Sequence, residues 1–184
     1  MYSVRSFGAF SAIVSLFFTF GAVASEPMHT GAEIVPPAGF IGFCARHLAD
    51  CAGAAAAPAP VVLTDAKEQE LETVQGEINR AIEPEEDPRH VWDYPVDGRG
   101  DCNKYALAKR RALIELGWPR EALLLTTAVT EHGEGHLVLI ARTSEGDLVL
   151  DNRFPTVIDW SRLPYRWVGR QSERRPTIWL SLAG

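Results

Sequence analysis

An excess of positive charge is what the sequence most plainly lacks. Lysine and arginine number 18 against 24 acidic residues, a formal net charge of −6, whereas a nucleic-acid-binding protein ordinarily presents a basic face. No nucleic-acid partner is therefore expected. A second long hydrophobic run is also missing, so nothing beyond the N-terminal region reads as membrane-spanning. Cysteine is scarce, with three in 184 residues. Cys44, His47 and Cys51 are close in sequence, but no fourth ligand at suitable spacing completes a zinc site. What is present is ordinary: 46% hydrophobic and 23% charged residues fit one folded domain rather than a disordered chain.

The N-terminus has the layout of a secretory signal peptide. Arg5 is the only charge before an apolar stretch from Phe7 to Phe20, and Ala22-Val23-Ala24 supplies the small-residue cleavage signal. The apolar stretch is shorter than the roughly 20 residues of a spanning helix. Cleavage after Ala24, export and no stable membrane insertion afterwards are expected. In an oxidising compartment Cys44 and Cys51 read as a local disulfide, leaving Cys102 as the odd thiol.

Residues 25–60 read as an extended lead-in carrying the Cys44–Cys51 loop, ending in the alanine- and proline-rich stretch from Ala54 to Pro60. Residues 61–184 read as the main folded domain. Leu71, Val74, Ile78 and Ile82 recur at helical spacing after a Thr64-Asp65 cap signal, predicting an amphipathic helix that ends near Pro84. A second helix is predicted from Cys102 to Leu116, with Lys104, Lys109, Arg110 and Arg111 on its polar face. From Leu123 the period changes to two, giving strands at 123–130, 136–143 and 147–151 and shorter ones at 165–168 and 177–182. Helices followed by an antiparallel sheet make an α+β fold.

The chemistry is expected around Gly98-Arg99-Gly100-Asp101-Cys102. A cysteine in the first helical turn faces free N–H groups and the positive end of the helix dipole, which favour the nucleophilic thiolate. A nucleophile needs a base and a group that orients the base. His136 at the start of one predicted strand and Asp151 at the end of the next are the candidates. A turn centred on Glu145-Gly146 would give the two matching faces but leave them four residues out of step, roughly 13 Å along a flat strand. His132 reads as a loop residue and His47 as a surface residue. His90, Trp92 and Tyr94 lead up to the cysteine helix, and the two aromatics are candidate cleft walls.

Gly100-Asp101-Cys102-Asn103-x-Tyr105-Ala106, Gly117-Trp118-Pro119, Gly135-His136-Leu137-Val138-Leu139, Leu148-Val149-Leu150-Asp151-Asn152 and Pro164-Tyr165-Arg166-Trp167-Val168 resemble the bacterial transglutaminase-like cysteine peptidases. The resemblance implies a papain-like fold with residues 61–184 as the cysteine peptidase domain, a Cys102–His136–Asp151 triad, export to the periplasm, and a protein or peptide substrate in the cell envelope. Relatives in that family are periplasmic proteases that clip surface adhesins and bind calcium through acids flanking the nucleophile. Here Asn103 and Lys104 stand where those acids would be. The expectation is therefore no cofactor, with Asp101 a helix cap rather than a calcium ligand. Two other readings of the same scaffold are a non-catalytic envelope-protein-binding module and a transglutaminase that transfers the acyl group to an amine.

Overall fold

The structure is a computed structural model and describes residues 25–53 and 59–182. The signal-peptide expectation falls on residues 1–24 and lies outside them, as does most of the alanine-rich stretch.

The two predicted helices form where their caps and stripes direct. Thr64 lies in the extended region and its hydroxyl accepts the Lys67 N–H, opening α2 (Asp65–Ala81). Asp65 and Glu68 in its first turn and Arg80 in its last complement the helix dipole. Leu71 and Val74 are buried on the inner stripe, with Ile78 packed beside them. Burial of each such side chain contributes about 1.5–3 kcal/mol. The cysteine helix, α3, runs Cys102–Glu115. It stops where Gly117, at φ 84°, turns the chain left-handed and Trp118 N–H bonds back to the Leu113 carbonyl.

The polar face expected on α3 is only partly polar. Lys109 and Arg110 are buried. Arg110 donates Nε to the Leu123 carbonyl and Nη1 to the Asp50 carbonyl, joining α3 to the sheet and to the loop closed by the Cys44–Cys51 disulfide. That disulfide forms as expected and closes a short loop, worth about 2–3 kcal/mol in the chain-entropy account.

The strands behind the helices are β4 (Leu123–Val129), β5 (Gly135–Thr143) and β6 (Gly146–Leu150), then β7 (Ile158–Asp159), β8 (Arg166–Gln171) and β9 (Trp179–Leu182). With β1 (Thr30–Ile34) they make one antiparallel sheet in the order β1-β9-β8-β4-β5-β6-β7. A short parallel pair, β2 (Glu83–Pro84) and β3 (Arg99–Gly100), stands apart and leads directly into α3. The α+β class is that expected.

Alternation along the central strands divides the interior in two. Leu123, Leu125, Leu137, Leu139 and Ala141 face α2 and α3, while Leu124, Val138, Ile140 and Val149 face a second layer holding Tyr165 and Trp167.

The lead-in differs from its expectation of plain extended chain. Thr30–Ile34 is extended but hydrogen-bonds to β9 as a sheet edge. Ala38–Arg46 forms a helix, α1, despite two glycines and no side-chain cap. Packing overrides local propensity there: Phe40 and Phe43 are fully buried, and Phe40 packs edge-on against Trp92 and Trp179.

Candidate active site

β3 delivers the chain to Asp101, which is extended at φ −86°, and Cys102 is the first residue of α3. Cys102 is a half-buried free thiol at the mouth of a cleft of about 1030 Å³. Asp101 occupies the cap position, but its side chain makes no capping hydrogen bond. Its Oδ2 accepts from Asn103 Nδ2 at 3.0 Å, and its Oδ1 lies 3.5 Å from Lys104 Nζ. The same ammonium is 3.5 Å from Asp87 Oδ2. Lys104 is thus an ammonium paired with two carboxylates, not a free surface charge.

His136 is the second residue of β5, and Asp151 directly follows β6. The hairpin joining them pairs Thr143 with Gly146, leaving Ser144 and Glu145 as a two-residue loop. Gly146 sits at φ 115°, where a side chain would be strained. Leu139 pairs with Leu150, which puts Asp151 level with Val138. His136 and Asp151 are therefore two residues out of step, about 7 Å along the strand, rather than four. The side chains close that gap: His136 Nε2 and Asp151 Oδ1 are 2.8 Å apart.

Both groups are nearly inaccessible, with 7% and 2% of their side chains exposed. Burial pulls the His136 pKa down, but the Asp151 carboxylate hydrogen-bonded to the ring and the nearby Cys102 sulfur more than reverse it and hold it at about 9. Burial pushes Asp151 up, and the His136 bond, the Arg153 backbone N–H at 2.9 Å and the Tyr165 hydroxyl at 2.7 Å bring it below its ordinary value. His136 and Asp151 thus form a hydrogen-bonded pair, and Cys102, whose sulfur reaches Asn103 Oδ1 at 4.0 Å, lines the same cleft as His136.

Several contributors escaped the sequence reading. Gln75, on the inner stripe of α2, donates Nε2 to the carbonyls of Asp151 and Phe154 at 2.7 Å each, and Asn79 donates to Phe154 O at 2.9 Å. Together they clamp the backbone of the turn that carries Asp151. The available signal was that Gln75 follows Leu71 by four residues, on a face that should bury apolar groups. Tyr165 was legible only as a strand residue. Lys109, expected on the polar face, is buried with Nζ lacking a hydrogen-bond partner. Burial lowers its pKa to about 7, with the Asp151 charge acting in the opposite direction.

Of the remaining candidates, Trp92 and His90 line the cleft, together with Glu85, Glu86 and Glu134. Tyr94 instead packs edge-on against Phe43 and under Arg111. His47 is paired with Asp93 at 2.8 Å, and His132 is two-thirds exposed in the β4–β5 turn.

The sequence model of the bacterial transglutaminase-like cysteine proteinases, BTLCP, matches residues 30–184. The chain belongs to this family. It is a transglutaminase-like cysteine peptidase. Among solved structures it is similar to calcium-bound LapG of Legionella pneumophila, with 27% identity and a TM-score of 0.55 over 61% of this chain and 67% of that one. It is also similar to EGTA-treated LapG, with 29% identity and a TM-score of 0.53 over 61% and 66%. The chain thus spans about two thirds of LapG. No curated protein is matched. Among the described residues, no helix is long and apolar enough to cross a membrane.

LapG overturns the expectation of no cofactor, because it is known in a calcium-bound and an EGTA-treated form. The expectation rested on repulsion by Lys104. With its ammonium flanked by Asp87 and Asp101, the trio carries net negative charge, so the repulsion argument fails. Two oxygen-bearing side chains are near enough to contribute to a hard-cation site, although among the described residues no group of three or more His, Cys, Asp or Glu side chains converges on one point. Two carboxylates converge there on a positive charge, and Asp101 Oδ1 is buried with no hydrogen-bond donor.

Proposed function

We propose that this peptidase is an exported hydrolase of envelope proteins, using Cys102 as nucleophile, His136 as base and Asp151 as the group that orients the base. The observation that carries the reading is the 2.8 Å His136–Asp151 contact behind the only free cysteine among the described residues. With Nε2 engaged by Asp151, Nδ1 is the ring nitrogen left for the thiol. With its pKa held at about 9, His136 already carries the proton taken from Cys102 at neutral pH; the sulfur attacks the scissile carbonyl, and the imidazolium gives that proton to the departing amine. Asp151 holds the ring and stabilises the imidazolium. Backbone N–H groups at the start of α3 supply positive potential for the developing oxyanion. Water then resolves the acyl-enzyme. Export is supported by the Ala22-Val23-Ala24 signal and by a disulfide, which suits an oxidising compartment. On this reading the signal segment is residues 1–24, and the 25–60 lead-in, whose β1 and α1 join the sheet and core, completes the catalytic domain of residues 61–184.

The test is cleavage of a solubilised envelope-protein fraction, read as new N-termini. Prior alkylation with iodoacetamide is expected to remove cleavage, whereas serine-directed inhibitors leave it intact. Cleavage that survives alkylation overturns the reading. With a primary amine added, the new C-termini would appear as amides if acyl transfer to the amine were the natural reaction, and under hydrolysis they remain free carboxylates.

Calcium is part of the proposal. Asp87 and Asp101 would hold it, with Lys104 swinging aside on its flexible stem. Bound there, it would fix the segment preceding the nucleophile. Calcium is expected to raise the melting temperature by a few degrees and EGTA to reverse this, with the response absent in Asp101→Asn. An identical melting curve in calcium and in EGTA would end this part of the proposal.

A further inference from the structure

Behind the His136–Asp151 pair lies a chain of groups that the proposed chemistry does not use. Tyr165, just before β8, donates its hydroxyl to Asp151 Oδ2 at 2.7 Å and is buried, with its ring edge-on to His136. The Tyr165 oxygen in turn accepts Arg153 Nη1 at 3.0 Å. Arg153 is gripped at both ends of its fork by Glu131, at 3.1 and 2.8 Å. Glu131 lies in the β4–β5 turn, so the chain ties that turn to the turn after β6.

The direction of every bond is fixed by chemistry. A guanidinium only donates, so the Tyr165 oxygen must act as acceptor toward Arg153. Its single proton is then left for Asp151. Glu131 neutralises the guanidinium and pins its plane, in the two-pronged geometry that gives such pairs their specificity. The Arg153 backbone N–H holds Asp151 Oδ1 from the other side. With both oxygens held, the carboxylate cannot rotate away from His136.

We propose that Tyr165 is the positioning residue of the Asp151 carboxylate and that the Glu131–Arg153 pair sets the direction in which its hydroxyl donates. The inference rests on the reading of Cys102, His136 and Asp151 as the reacting row. Tyr165 touches neither substrate nor sulfur. It acts through Asp151 by keeping that group ionised and aimed. The other charges facing Asp151 are His136 from β5 and Lys109 from α3, and neither can replace a neutral donor on Oδ2.

The experiment uses the purified protein and 4-nitrophenyl acetate as probe. In Tyr165→Phe the acid limb of the pH–rate profile is expected to move up by about one pH unit, since the carboxylate loses a donor that favours its charged form. Turnover at neutral pH should fall about tenfold with KM nearly unchanged. Glu131→Gln and Arg153→Met leave Tyr165 in place and should shift the limb in the same direction by less. Arg153→Lys, which keeps a donor, should stay near the parent. These variants also carry the test if Tyr165→Phe fails to fold. A purely structural role would lower the melting temperature without moving the acid limb, and that result overturns the inference. If Tyr165→Phe equals the parent while Cys102→Ala is inactive, only the positioning role fails. If the parent shows no turnover that depends on Cys102, the underlying reading fails instead.

Discussion

Cys102→Ala is expected to abolish peptide hydrolysis, by a factor of about 10⁴ or more, while leaving the fold intact. The two halves of that expectation have different physical sources. Alanine has the highest helix propensity and Cys102 is only half-buried at the first position of α3, so the helix loses nothing. The chemistry loses everything, because no other free thiol exists among the described residues and His136 has nothing else to deprotonate. A second readout comes with it. Cys102 is one of the groups holding the His136 pKa at about 9. Followed by NMR, the His136 titration midpoint should therefore fall in the alanine protein. A midpoint that stays at 9 would separate the thiol from the imidazole and remove the nucleophile's activating partner.

Asp151→Asn is the second large effect. An amide keeps the shape but not the charge, and it can present an N–H where the ring needs an acceptor. A loss of roughly 10³–10⁴ in turnover is expected, as for an orienting carboxylate elsewhere. The pH dependence of stability should also change. His136 binds its proton more tightly folded, at about 9, than at its ordinary 6.5. The pair's contribution is therefore complete below about pH 6.5 and is lost as the pH rises through 9. In Asp151→Asn that alkaline loss should flatten, and urea unfolding at pH 6 and pH 10 would measure it. Equal pH sensitivity in both proteins would mean that the ion pair does not stabilise the fold.

How much of this was legible in the sequence varies with the kind of signal. Thr64 with Asp65, and Gly117 with Pro119, marked the helix ends because caps and breakers act locally. The central strands were visible in the alternation from Leu123 onward. Helix α1 was not, since Phe40 and Phe43 stabilise it only by meeting Trp92 and Trp179 from distant parts of the chain. Lys109 and Arg110 were read as surface residues for the same reason: their burial depends on what packs over α3, not on what surrounds them in sequence. The His136–Asp151 pair could be named by residue type. Its distance could not, because it depends on whether the turn falls at Ser144-Glu145 or one residue later.

That two-residue turn has an evolutionary consequence. A loop that merely connects can lengthen or shorten as sequences diverge, but this one keeps count for the strand that leads to Asp151. Inserting a single residue that shifts the pairing would turn every β6 side chain to the opposite layer, carrying the carboxylate away from the imidazole and polar groups into the core. A change in the length of Ser144–Glu145 is therefore expected to separate Asp151 from His136 as surely as a change in the identity of Asp151, although neither loop residue belongs to that pair.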